Sequence, residues 1–137
     1  MDHFAYQDGR LRCEGVDLAH LATRTGTPTY VYSAATLGMH YDRLIAAFAE
    51  LSPLVCFSVK SCPNVHILRT LAERGSGLDV VSGGELHRAR LAGVPMSRVV
   101  YAGVGKTDEE IRDAANALGA AISAALLEVY DGLVPEE

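Results

Sequence analysis

Short apolar stretches alternate with amphipathic ones through the middle of this chain. Residues rich in valine, leucine and aromatics predict strands at 54–60, 77–82 and 98–103. After each of them, apolar residues recur at three- and four-residue intervals, which predicts a helix. Alternation of strand and helix with short loops predicts parallel strands joined by right-handed crossovers.

An earlier strand–helix pair is predicted before these three. The segment "TPTYVY", residues 27–32, has the β-branched and aromatic content of a strand. Ser33 is suited to cap the helix that follows. The apolar face of that helix is predicted to consist of Leu37, Tyr41, Leu44 and Phe48.

Two α/β architectures fit this order of elements, an open doubly wound sheet and a (β/α)8 barrel. The open sheet is disfavoured because the glycine-rich dinucleotide fingerprint is missing after the first of the three strands. A closed barrel usually takes ~250 residues. The 137 residues present supply about three to four strand–helix units, so the chain is expected to be a fragment of a barrel or something other than a barrel.

Composition and charge exclude several classes of function. The net charge of −5 and the lack of a basic stripe argue against nucleic acid as a partner. No apolar run reaches the ~18 residues of a membrane span, and the N-terminus lacks a signal-peptide pattern, so a cytoplasmic protein is expected. The three cysteines lack metal-ligand spacing and are expected to be reduced thiols, with no metal site.

Only two of the twelve basic residues are lysines, Lys60 and Lys106, and each follows an apolar stretch. "VVYAGVGKT" around Lys106 resembles a nucleotide-binding loop, but Val100 stands where the first glycine of G-x-x-x-x-G-K-[ST] is required. A nucleoside triphosphate site is therefore disfavoured.

Two segments match the helix-capping pattern S/T-x-x-E. They are Ser82–Glu85 and Thr107–Glu110, in which the hydroxyl and the carboxylate are expected to satisfy free N–H groups. Capping does not explain the Gly83–Gly84 pair in a first helical turn, where glycine costs about 1 kcal/mol relative to alanine. The pair predicts that some group approaches the backbone closely.

In "LVCFSVK" the side chains are expected to alternate, so that Cys56, Ser58 and Lys60 share one face of the strand. Asp79 lies among apolar residues of the next strand, where a carboxylate needs a partner, and a Lys60–Asp79 contact would supply one. A desolvated lysine amine adds to an aldehyde to give a Schiff base. The pattern makes Lys60 a candidate for that chemistry, with a plain structural salt bridge as the alternative.

The sequence resembles the N-terminal part of the diaminopimelate decarboxylases, in the alanine-racemase-like group of pyridoxal-phosphate enzymes. The resemblance spans about residues 5–115 and is most specific in "CFSVKSCPN" and "GLDVVSGGEL". It implies a partial (β/α)8 barrel of the pyridoxal-phosphate-binding type, with an N-terminal strand region at 1–34 and the partial barrel at 35–137. By the same resemblance Lys60 matches the lysine that holds the cofactor, Asp79 matches an acidic residue near it, and "GVGKT" matches a loop after a barrel strand.

The implied activity is conversion of meso-diaminopimelate to L-lysine and CO2, in an enzyme that is commonly a homodimer. The Ala-rich stretch after residue 115 departs from the family pattern, and the family's remaining cofactor-contacting groups are implied to come later in the sequence. These 137 residues alone are therefore expected to have little or no decarboxylase activity. The alternatives are a non-catalytic regulatory partner of a full-length relative, a small pyridoxal-phosphate homeostasis protein and an amino-acid racemase.

Overall fold

The computed structural model describes residues 3–119, which fall into two compact units that divide between Ser52 and Pro53. Each unit contains its own sheet. No helix within residues 3–119 has the length and hydropathy needed to cross a membrane.

The first unit combines a small antiparallel sheet with two helices. Its elements are β1 (Phe4–Gln7), β2 (Arg10–Cys13), β3 (Val16–Asp17), α1 (Leu18–Thr25) and α2 (Ala34–Ala47). Asp8 and Gly9 connect β1 to β2 with φ values of 50° and 74°, a backbone that aspartate and glycine adopt more readily than most residues. This two-residue turn fixes the register, in which Gln7 lies opposite Arg10.

Polar side chains determine where both helices of this unit begin. The Asp17 carboxylate accepts hydrogen bonds from two N–H groups at the start of α1. Ser33 caps α2, as the sequence predicts, by accepting a hydrogen bond from Thr36 N–H at 2.9 Å. The predicted apolar face of α2 is only partly covered, since Leu44 and Phe48 are 42% and 47% exposed.

The predicted strand at 27–32 is wrong, because these residues take part in no sheet among the described residues. β-branched and aromatic composition favours a strand only where a neighbouring strand pairs with it. Pro28 moreover lacks the N–H that a ladder requires. Two tyrosines of the segment, Tyr30 and Tyr32, are 87% and 50% exposed.

The second unit is a three-stranded parallel sheet with a helix after each strand. Its elements are β4 (Cys56–Ser58), α3 (Val65–Ala72), β5 (Gly77–Val80), α4 (Gly83–Ala92), β6 (Val99–Tyr101) and α5 (Asp108–Leu118). The strands are adjacent in chain order, β4-β5-β6, and both pairs are parallel. The three predicted strand–helix units are thereby confirmed, although each strand is shorter than the sequence predicts.

The core of this unit forms between one face of the sheet and the helices. Alternate strand residues point towards it, and Leu78, Val80 and Val99 are at most 1% exposed. The helices contribute Leu68, Leu86, Ala89, Ala114 and Leu118 to the same core. Because side chains alternate along a strand, the polar residues of the sheet lie on the face opposite this core.

Candidate functional site

The candidate site lies on the open face of the parallel sheet, at its carboxyl end. Ser58 of β4 is in register with Asp79 of β5, and both are partly buried. Paired residues of a parallel sheet point to the same face, so this hydroxyl and this carboxylate are neighbours. We call Cys56, Ser58, Lys60 and Asp79 the carboxyl-edge site.

The Ser58 hydroxyl oxygen is buried and has no hydrogen-bond partner among the described residues 3–119. Burial of a hydroxyl without a partner is costly. The Asp79 carboxylate also forms no hydrogen bond or ion pair with the rest of residues 3–119. Two polar groups therefore remain available to a ligand on this face.

Cys56 completes the floor of the site beneath Ser58. Burial raises the pKa of its thiol, and the negative charge of Asp79 raises it further. Gly77 makes room for this thiol, since a Cβ on Gly77 would lie 2.6 Å from Cys56 Sγ and 2.4 Å from the Arg98 carbonyl oxygen. The thiol is thus held protonated at neutral pH and contributes packing to the site.

Lys60 lies at the rim, one turn beyond the strand. β4 ends at Ser58, and Val59–Ser61 form a 3-10 turn in which Val59 is fully buried and Lys60 is exposed. The predicted Lys60–Asp79 ion pair is wrong, because neither side chain has a charged partner in the described part of the chain. The strand turns away before Lys60, so Ser58 is the residue opposite Asp79.

The second lysine has a different environment. Lys106 donates a hydrogen bond to the Gly103 carbonyl oxygen, and its amine lies 5.0 Å from the centroid of the Tyr101 ring. A cation is attracted electrostatically to the face of an aromatic ring. Lys106 is therefore engaged by its own loop, whereas the Lys60 amine has no partner among the residues that the structure describes.

Both predicted capping patterns are present, and one differs in detail. Thr107 and Glu110 form the complete capping box of α5. Ser82 caps α4 as predicted, but the Glu85 carboxylate accepts a hydrogen bond from Val81 N–H at 2.9 Å. Glu85 therefore stabilises the turn before the helix and not the N–H of the cap itself.

Glu110 is a residue whose wider contacts the sequence does not predict. Besides its bonds to Thr107, its carboxylate accepts a hydrogen bond at 3.0 Å from the N–H of Gly83, 27 residues earlier. The predicted close approach to the glycine pair is confirmed at Gly83, where a Cβ would lie 3.2 Å from Glu110 Oε1. A capping box is a local signal, so the pattern T-x-x-E gives no indication of this distant partner.

Comparison with known proteins identifies the family. A sequence model described as "Pyridoxal-dependent decarboxylase, pyridoxal binding domain" matches residues 36–123. Diaminopimelate decarboxylase of Vibrio cholerae is 49% identical over 115 residues, which are 83% of this chain and 28% of that protein. The Aquifex aeolicus enzyme is 46% identical over 112 residues, 82% of this chain and 26% of its own length.

A solved structure gives the same result. Diaminopimelate decarboxylase from M. jannaschii in complex with L-lysine has a TM-score of 0.80 and 39% identity, covering 85% of this chain and 28% of that chain. The present chain thus spans about a quarter of the length of the relatives it matches, and its parallel sheet and helices are part of their barrel. The resemblance noted in the sequence is confirmed, and the chain belongs to the pyridoxal-dependent decarboxylases through their pyridoxal-binding domain.

Proposed function

We propose that this chain holds pyridoxal phosphate through Lys60, as the N-terminal portion of a diaminopimelate decarboxylase. The observation that supports this most directly is the contrast between its two lysines. Lys60 lies exposed at the carboxyl end of the parallel sheet and forms no ion pair or hydrogen bond within the described part of the chain, whereas Lys106 contacts Gly103 and Tyr101. The carboxyl ends of barrel strands are where catalytic groups are found.

The residues of the carboxyl-edge site fit such a cofactor. Pyridoxal phosphate supplies an aldehyde and a ring that accepts electrons from an amino acid's α-carbon. Lys60 would hold it through its amine. Asp79, which has no hydrogen-bond or ion-pair partner among residues 3–119, would fix its position or its protonation. The buried Ser58 hydroxyl offers one further hydrogen bond to a ligand on the same face.

The proposed reaction is decarboxylation of meso-diaminopimelate to L-lysine and CO2, within lysine biosynthesis. The proposal follows the relatives named above, and the M. jannaschii protein was solved in complex with L-lysine. We further propose a cytoplasmic protein that acts on a small amino acid, does not bind nucleic acid or membranes, and forms a homodimer when the whole family fold is present.

The cofactor proposal is tested by reductive trapping at the two lysines. The purified chain is incubated with pyridoxal phosphate, reduced with borohydride, digested and mapped by mass spectrometry. We expect the adduct on the peptide that contains Lys60, because its side chain is exposed and has no partner within the described residues 3–119. Peptide mapping also separates this adduct from any adduct at the N-terminal amine.

Two variants make the trapping experiment decisive. Lys60→Ala should abolish the internal adduct, and Lys106→Arg, which keeps the charge above Tyr101, should leave it unchanged. The assignment is contradicted if the internal adduct persists in Lys60→Ala or is lost in Lys106→Arg.

A second outcome would support a different function. A folded chain that forms no adduct would count against the cofactor proposal and favour the non-catalytic regulatory partner. For the isolated 137 residues we expect little or no CO2 release from diaminopimelate in either case.

A further inference from the structure

The loops that follow β5 and β6 are joined by a series of close contacts. Ala102 N–H donates a hydrogen bond of 2.9 Å to the Val80 carbonyl oxygen. Gly103 adopts a φ of +93°, and a Cβ there would lie 3.1 Å from Val81 Cβ. The backbone just beyond Asp79 is therefore packed directly against the loop that leads to α5.

Glu110 closes this series of contacts. One carboxylate oxygen, Oε2, accepts hydrogen bonds from Thr107 N–H at 3.0 Å and from the Thr107 hydroxyl at 3.2 Å. The other oxygen, Oε1, accepts the 3.0 Å bond from Gly83 N–H. A single side chain thus links the start of α5 to the start of α4.

The contact at Gly83 bears on the carboxyl-edge site because of where Gly83 lies. Asp79 is the last residue but one of β5, and the turn formed by residues 81–83 follows it. The Glu85 carboxylate accepts a hydrogen bond from Val81 N–H at the beginning of that turn. The Glu110 carboxylate accepts one from Gly83 N–H at its end. The orientation of the chain after Asp79 is consequently fixed by two carboxylates, one local and one from α5.

We propose that Glu110 is a positioning residue for the carboxyl-edge site, which it supports through the turn at 81–83 without touching a ligand itself. This inference rests on the proposed function, since the site it supports is the one assigned to the cofactor. A carboxylate suits the role because all three groups that face it are hydrogen-bond donors, and both of its oxygens are acceptors only.

Glu110→Gln is the informative substitution. The amide keeps the shape of the side chain but replaces one acceptor oxygen with an NH2 donor. The amide nitrogen then faces either the Gly83 N–H or the Thr107 donors, and the hydrogen bonds on that side are lost. Hydrogen bonds to charged groups are stronger than neutral ones. We expect the concentration of pyridoxal phosphate that half-saturates the trapped Lys60 adduct to rise about tenfold.

Asp113→Asn provides a matched control. Asp113 also joins α5 to α4, through two hydrogen bonds of 3.0 and 3.1 Å to the Arg90 guanidinium, but it does not contact the turn after β5. A merely structural link between the helices predicts equal effects of the two amide substitutions. We expect the half-saturating concentration to change less than about twofold in Asp113→Asn.

Two results would overturn the positioning role. The first is an equal loss of adduct formation in Glu110→Gln and Asp113→Asn, and the second is no loss in Glu110→Gln. Failure of the parent chain to form any adduct would contradict the proposed function instead. Amide hydrogen exchange then tests the role of Glu110 without the cofactor. Exchange in residues 81–83 and 102–107 should accelerate in Glu110→Gln and not in Asp113→Asn. Unchanged exchange of these amides in Glu110→Gln would refute the role.

Discussion

Gly83 and Gly84 are adjacent in sequence and differ in their surroundings. A Cβ on Gly83 would lie 3.2 Å from Glu110 Oε1, tighter than ordinary contact, and the capping box holds that carboxylate in place. A Cβ on Gly84 would meet nothing closer than Ser82 Oγ at 3.9 Å. Only the first glycine is therefore required by the packing of the folded chain.

This difference predicts opposite results for two alanine substitutions. Gly84→Ala should raise the free energy of unfolding by about 0.5–1 kcal/mol, because alanine is less free than glycine in the unfolded chain. Gly83→Ala should leave the free energy of unfolding unchanged or lower it, because the Glu110 carboxylate has to move. Urea denaturation measures the free energy of unfolding of both variants. Equal increases would contradict the expectation, because they would show that the Glu110 side chain moves aside at no energetic cost.

Lys60 illustrates what sequence can predict at a single position. The family resemblance makes Lys60 the candidate cofactor lysine, which stays a prediction. The alternation rule that groups Lys60 with Cys56 and Ser58 leaves Val59 for the opposite face, where it is buried. The rule failed one residue later because a 3-10 turn replaces the strand at Val59–Ser61. The partner predicted for Asp79 was wrong for the same reason, since register depends on where a strand ends and the sequence marks that point poorly.

Among the elements, helix starts were predicted best because their signals are local. Ser33, Ser82 and Thr107 each cap the helix that the sequence assigns to them. The β1–β2 hairpin was missed, although Asp8-Gly9 between two short stretches is a recognised hairpin signal. The strand predicted at 27–32 failed because strand formation depends on a distant pairing partner.

The links between α4 and α5 predict how stability depends on pH. Hydrogen bonds from Thr107 N–H and then Gly83 N–H lower the pKa of Glu110, and the Arg90 guanidinium lowers that of Asp113. A carboxyl whose folded pKa is depressed contributes stability that is fully present above its unfolded pKa, about 4.3 for glutamate. That contribution should be lost as the pH falls through the lower folded value.

Thermal unfolding between neutral pH and about pH 3 checks this expectation. The melting temperature of Glu110→Gln should fall less steeply in the acid range than that of the parent chain. Glu109→Gln is the control, since Glu109 lies in the same helical turn and is exposed. Identical acid profiles for the parent and Glu110→Gln would argue against the hydrogen bonds to this carboxylate.

Across the whole molecule, buried apolar surface is unevenly divided between the two units. The core cluster of buried apolar side chains comes from residues 59–118. Among the described residues 3–52, the buried ones are Cys13 and Ser33, at 5% and 3% exposure, and Gly38. Stability against local opening depends on such burial, so the two units are expected to differ in stability.

Native-state hydrogen exchange should reveal this difference. Amides of β5, which is the central strand of its sheet, should exchange most slowly. Amides of β1 and β2 should exchange much faster, because their sheet covers little apolar surface. Equal protection in both sheets would contradict the expectation.

The contact between Glu110 and Gly83 also has a consequence for the order of folding events. The helix α4 can nucleate from Ser82 alone. The N–H of its first residue, Gly83, is bonded to Glu110, which lies 27 residues later, so this bond forms only after β6 has paired and α5 has docked. A polypeptide interrupted before residue 110 would therefore retain the beginning of α4 in a frayed form. Completion of one strand–helix repeat thus depends on the arrival of the next, which couples consecutive repeats as folding proceeds along the chain.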